Sequence, residues 1–190
     1  MPSKGKGAWM ARDRNNLVWI DLETTGQSVA RRVILEIASI VTDKDLNVVG
    51  EGPNVVIYHP DEALAQIDDW CAQQYAYSGL LDASRASDIS LHEAEQQTLS
   101  FIRKHTHRKV SPLCGNSILL DRRFLMRYMP ELSAHLSHRN LDVSTINELV
   151  ARWYPGTLER LDKGVRHRSV GDIRSSIEEL RFYRQQVFKS

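Results

Sequence analysis

The apolar run Leu17-Val18-Trp19-Ile20 is followed by two longer β-branched stretches, Val33 to Thr42 and Val48 to His59, before any helical periodicity begins. Four successive apolar residues bounded by Asn16 and Asp21 suit a strand covered on both faces. The next two stretches follow after short turns, so three strands are expected to form an antiparallel meander. From Pro60 the pattern changes. Asp61 to Gln74 and Ser90 to His105 read as amphipathic helices, the second opened by Ser90-Leu91-His92-Glu93 at capping-box spacing. Lys109 to Cys114 reads as a short strand closed by Gly115-Asn116-Ser117, and Ile118 to Tyr128 as a helix. Leu141 to Val143 is a brief strand, after which Ser144 caps a helix reaching about Trp153, where Pro155-Gly156 stops it. Ile173, Ile177, Leu180 and Val187 stripe a final helix. This order predicts an α/β fold with a mixed central sheet flanked by helices.

A chain of 190 residues is long enough for one domain with a substantial core. Residues 1–15 read as a flexible basic tail and residues 16–190 as a single domain. The tail lacks the apolar centre of a secretory signal, and no apolar stretch approaches membrane-spanning length. A cytoplasmic location is expected, with an organellar one such as the mitochondrion as the alternative for a basic, acid-poor leader. Cys71 and Cys114 both lie in apolar surroundings and read as buried, reduced thiols. Residues 1–100 hold 8 Lys/Arg against 15 Asp/Glu and residues 101–190 hold 17 against 9, for a net charge of +1 overall. A protein that tracks long nucleic acid usually carries more positive charge, so this balance fits a short anionic substrate or an ordinary solvated surface.

Asp21, Glu23, Asp121 and Asp172 each stand where an apolar element begins or ends. Alternation along a strand puts Asp21 and Glu23 on the same side, with Leu22 on the other. Like charges gathered at one sheet edge repel unless a cation lies between them, and hard carboxylate oxygens favour magnesium or manganese. Each residue also has a bland explanation. Strand ends face water, and an acid in a first helical turn, as Asp121 is, complements the helix dipole by up to about 1 kcal/mol. His167, five positions before Asp172, would be a general base on the polar loop preceding the last helix. His59, His92, His105, His107 and His135 read as surface residues.

Taken together, these five residues resemble the three motifs of the DEDDh group of 3′→5′ exonucleases. Closer similarity to the oligoribonuclease family rests on several segments. They are Asp21-Leu22-Glu23 with Thr25-Gly26, Asp69-Trp70, Ser78-Gly79-Leu80, Gly115-Asn116-Ser117, Asp121-Arg122-Arg123-Phe124-Leu125, Leu141-Asp142-Val143-Ser144-Thr145 and Ser176-Ile177-Glu178-Glu179-Leu180. The resemblance spans about residues 16 to 188. It implies a ribonuclease H-like fold with about five strands, and a homodimeric enzyme degrading short single-stranded RNA to 5′-mononucleotides. Two divalent cations, Mg2+ or Mn2+, would be held by Asp21, Glu23, Asp121 and Asp172, with His167 taking a proton from the attacking water. Ser117, Arg139 and Ser144 would cap the 5′ end of the substrate, Gln27 and His138 would lie against its bases, and Trp70 would also bind it.

Several positions depart from that family, among them Thr24, Leu119-Leu120 and Gly171, and two more bear on the bases. Gln27 stands where an apolar leucine wedge is usual, and His138 replaces a tyrosine that stacks on a base from the partner protomer. Base stacking on an aromatic ring is worth about 1–3 kcal/mol, so these changes bear on the selection of substrate length. The rival expectations are a DEDDh exonuclease trimming longer single-stranded DNA or RNA, and a catalytically idle nucleic-acid-binding module. The presence of all five residues argues against the latter.

Overall fold

The computed structural model describes residues 12–158 and 169–188. Strands β1 (Leu17–Thr24), β2 (Ile34–Thr42) and β3 (Val48–Val56) form the expected antiparallel meander. Four helices follow: α1 (Asp61–Leu64), α2 (Asp69–Tyr75), α3 (Leu80–Ala86) and α4 (Leu91–His105). Then come β4 (Leu113–Gly115), α5 (Leu119–Tyr128), α6 (Pro130–His135) and β5 (Asn140–Asp142). The chain continues through α7 (Val143–Trp153) and α8 (Pro155–Leu158) to α9 (Ser169–Gln186). The sheet order is β3-β2-β1-β4-β5, with β4 and β5 parallel to β1. A mixed five-stranded sheet flanked by helices is thus observed, and β1 lies at its centre.

Alternation along β1 divides two cores. Val18 and Ile20 pack with Leu99 and Ile102 of α4, Phe124 of α5 and Leu132 of α6. Trp19 faces the opposite layer, with Val143 and Val150 of α7 and Ile173, Ile177 and Tyr183 of α9. The Trp19 indole donates to Thr42 Oγ1 at 3.0 Å, so its one polar atom is satisfied. Truncating so large a buried ring to alanine costs about 3–5 kcal/mol in typical cores. All nine residues of β2 are buried, which explains its unbroken apolar character. Helix α4 opens with the capping box seen in the sequence: Ser90 Oγ accepts from Glu93 N, and the Glu93 carboxylate accepts from Ser90 N.

Several local expectations are corrected. The segment Asp61 to Gln74 is broken into two helices, because Asp68 is extended, donates its N–H to Thr25 O and pairs with Arg32. These tertiary bonds override helical propensity. The strand expected from Lys109 shrinks to Leu113–Gly115, since Lys109 takes a left-handed φ of 62° and Pro112 has no N–H to give a ladder. Helix α7 is capped by Asp142, whose carboxylate accepts from Ser144 N at 2.9 Å, so Ser144 lies in the first turn. Pro155 opens the short α8. Helices α3 and α6 have no counterpart in the sequence reading. His135 is buried, only 6% exposed, with Nε2 3.0 Å from Thr106 Oγ1. Both cysteines are free and buried, as expected.

Candidate active site

Because Trp19 points toward α7 and α9, period-two geometry sends Asp21 and Glu23 the same way at the end of β1. The residue opposite Asp21 on β2 is Ala38, small enough to leave room above the sheet. Opposite Glu23 is Glu36, a fully buried acid whose Oε1 accepts from Asn54 Nδ2 on β3 at 2.7 Å. Beyond Glu23 the pairing register shifts and the chain turns at Gly26, where φ is 147°. A Cβ on Gly26 would come within 1.9 Å of Asp68 Oδ2, so only glycine allows the turn to close against that carboxylate.

Two helices bring in the remaining acids. Asp172 stands in the first turn of α9, which Ile173 and Ile177 fix against the sheet. Carboxylate oxygens of Asp21, Glu23 and Asp172 all lie within 4.8 Å of one another. Asp121, in the first turn of α5, accepts a hydrogen bond from Leu22 N at 3.1 Å and is thereby tied to the strand between Asp21 and Glu23. Burial raises the Asp21 pKa well above its ordinary value, and the charges of Asp121, Glu23 and Asp172 push it further. Burial likewise raises Asp121, with Glu23 and Asp142 adding to it. Oxygens packed this closely, with Asp21 and Asp121 made harder to ionise, form a donor set that suits a divalent cation. The residues fit such an ion.

The loop after β4 forms a second feature. Ser117 adopts a left-handed φ of 52°, and its N–H donates to Asp142 Oδ1 at 3.0 Å and to Ser144 Oγ at 2.9 Å. Ser144 Oγ donates to Asn116 Oδ1 at 3.0 Å, and Asn116 Nδ2 donates to Ser176 Oγ and Glu179 Oε2 on α9. Ser117 and Ser144 are therefore brought together, as the sequence suggested, and are braced against the helix that carries Asp172. Arg139 is exposed beside β5. Gln27 is exposed just after Gly26, and Trp70 on α2 is 62% exposed. His138 lines a groove with Lys109, Arg122, Met126 and Ser133, and none of the carboxylates borders it. His167 lies outside the described residues.

One residue of the site was not singled out from sequence. Tyr75, buried at the end of α2, places its hydroxyl 2.8 Å from Glu23 Oε2 and 3.1 Å from Thr24 O. Burial and then the Glu23 charge raise its pKa far above the ordinary tyrosine value, so it remains a donor. Its only sequence signal is the i, i+4 pairing with Cys71 along α2.

Comparison with known proteins sharpens this picture. The family model described as Exonuclease, of RNase T type, matches residues 18–180. Oligoribonuclease from Shewanella loihica is 49% identical over 180 residues, covering 95% of this chain and 99% of its own. Oligoribonucleases from Marinobacter nauticus and Pseudomonas aeruginosa are 52% and 51% identical, each over 92% of this chain and 97% of their own. Among solved structures, exonuclease I from Methylocaldum szegediense aligns with a TM-score of 0.68 at 17% identity, covering 90% of this chain and 41% of that one. E. coli exonuclease I bound to an oligonucleotide gives 0.69 at 14%, covering 91% and 41%. This chain spans about two-fifths of those exonuclease I chains, and the likeness establishes a shared fold. Fold and carboxylate cluster together define a metal-dependent 3′→5′ exonuclease on a ribonuclease H-like sheet. Within that class, the chain belongs to the oligoribonuclease family.

Proposed function

We propose that this 3′→5′ exoribonuclease acts on short single-stranded oligoribonucleotides, releasing 5′-mononucleotides, with Asp21, Glu23, Asp121 and Asp172 holding two divalent cations, Mg2+ or Mn2+. The observation that carries this reading is the approach of Asp21, Glu23 and Asp172 oxygens to within 4.8 Å of one another on the central strand and α9. Bound cations would supply electrophilic activation of the phosphodiester and stabilisation of the departing 3′-oxygen. The protein's own groups do the rest. Leu22 N holds Asp121, Tyr75 holds Glu23, and the apolar stripe of α9 fixes Asp172. His167 accepts the proton of the attacking water.

Ser117, Arg139 and Ser144 would meet the 5′ end of a short substrate, where a longer strand would have to continue. The rigid bonding of Ser117 to Asp142 and Ser144 supports such a stop. Gln27 and His138 would contact bases, His138 from the second copy of a homodimer, and Trp70 would also bind the substrate. With relatives of bacterial origin and no helix among the described residues long and apolar enough to cross a membrane, a cytoplasmic enzyme is the consistent reading.

The exposed Gln27 favours a second reading, in which length selection is relaxed and longer single strands are also trimmed. A series of 5′-labelled RNAs from two to twenty nucleotides, with EDTA as control, separates the two. Rates falling steeply beyond about five nucleotides support the first reading, and equal rates support the second. Undiminished hydrolysis in EDTA would sink both.

A further inference from the structure

Arg12, Arg103 and Arg108 converge on one open groove of about 550 Å³ near the start of β1, the end of that strand remote from the carboxylates. Arg12 precedes β1, Arg103 lies in the last turn of α4, and Arg108 stands in the loop before β4. Their approach is built into the fold. Asp13 N and Asn16 Nδ2 both donate to His105 O, fastening the chain before β1 to the end of α4, and Lys109 N donates to His135 O of α6 at 2.5 Å. Pro130, Glu131, Ala134 and His135 of α6 close the other wall. From Leu17 to Glu23, six steps at about 3.3 Å place this groove roughly 20 Å from the catalytic end of β1.

Among the described residues, none of the three guanidiniums pairs with a carboxylate or donates a hydrogen bond to protein. Glu131 is the one acid bordering the groove. The three charges act together on His135: after burial, Arg103, Arg108 and Arg12 in turn lower its pKa. Solvated arginines on a surface normally spread apart. Three that gather around one cavity repel across distances comparable to the screening length, about 8–10 Å, unless an anion lies among them.

We propose that this groove is a second, non-catalytic site for closely spaced phosphoryl groups, such as those of a nucleoside polyphosphate or of consecutive phosphodiesters in a strand. The volume matches a nucleotide-sized ligand. Arginine forks bind phosphate oxygens in pairs, and five N–H donors on each of three guanidiniums exceed what one carboxylate could satisfy. The single acid on the wall sets a limit on how much negative charge enters. The site is independent of the catalytic reading, since it shares no residue with the carboxylate cluster.

Calorimetric titration of the full chain in EDTA and low salt, where no strand is cut, tests the assignment. Inorganic tripolyphosphate, ATP, a twelve-nucleotide RNA and citrate are the probes. Saturable binding of tripolyphosphate is expected, weakened at least tenfold in the combined Arg12→Gln, Arg103→Gln and Arg108→Gln chain. Glu131→Gln should tighten it several-fold, and dinucleotide hydrolysis with metal restored should be unchanged in both variants. If ATP binds as tripolyphosphate does and RNA more weakly, the source is a free polyphosphate. If RNA binds at least tenfold tighter and the arginine changes abolish that gain, it is a strand. No saturable binding at millimolar tripolyphosphate, equal affinity for citrate, or indifference to the arginine changes would each overturn the proposal.

Discussion

The Tyr75 hydroxyl donates to Glu23 Oε2 across 2.8 Å, so a residue 52 positions downstream fixes the orientation of a strand carboxylate. Removing an outer partner of this kind typically lowers metal affinity or activity 10- to 100-fold. We expect Tyr75→Phe to need roughly tenfold more Mg2+ or Mn2+ for half-maximal rate, with the dinucleotide KM nearly unchanged at saturating metal. Metal titration of the steady-state rate measures this. An unaltered titration curve would leave Tyr75 as packing alone.

The crowded acids make a prediction about pH. Burial and neighbouring charges raise the Asp21 pKa above 3.8, so the folded, metal-free chain holds this proton more tightly than the unfolded chain does. Stability from this group is present in full below 3.8 and is lost as pH rises through the folded value. In EDTA, Asp21→Asn should therefore melt above the unsubstituted chain near pH 8 and converge with it near pH 4. A difference of about 1 kcal/mol corresponds to roughly 2–4 °C in a chain of this size. Thermal scans across that range would refute the account if the gap were independent of pH. Activity of the variant should be abolished.

Asn116 connects the Ser117 loop to α9 through Ser144, Ser176 and Glu179. Asn116→Ala frees that loop while leaving the carboxylates in place. The expected result is a rise in dinucleotide KM of about tenfold, about 1.4 kcal/mol of binding, with kcat changed only a few-fold. Equal losses in both constants would mean that the loop supports the chemistry itself.

His138→Tyr combined with Gln27→Leu should strengthen contact with the bases. At about 1–3 kcal/mol per stacked base, the preference for two nucleotides over ten should rise roughly 5- to 150-fold. Competition between labelled strands of the two lengths gives the ratio. No change would remove both side chains from length selection.

His167→Ala should lower the rate by roughly two to four orders of magnitude, the usual range for a lost general base. Single-turnover hydrolysis at saturating metal reads this directly. A normal rate would assign proton transfer to another group.

How much of this was legible in sequence depends on whether a feature is local. The meander, the capping box at Ser90 and the shared face of Asp21 and Glu23 follow from alternation and short-range hydrogen bonding, and each appears as read. The break between α1 and α2 was invisible because it depends on Asp68 meeting Thr25 and Arg32, residues distant in the chain. The same applies to Tyr75, whose partner lies on another element, and to His135, buried by α4 and the following loop. Asp142 displaced Ser144 as the α7 cap because its carboxylate also holds Ser117, a contact no local rule contains.

Asp21 and Asp172 stand 151 positions apart, so the cluster depends on long-range packing. β1 is the first strand and α9 the last helix described, and α9 packs across β1 and β2. A chain without α9 would thus carry Asp21, Glu23 and Asp121 but lack the Asp172 that completes the cluster. The three-carboxylate cluster therefore exists only in the packed fold, and loosening α9 from the sheet would dismantle it without touching β1.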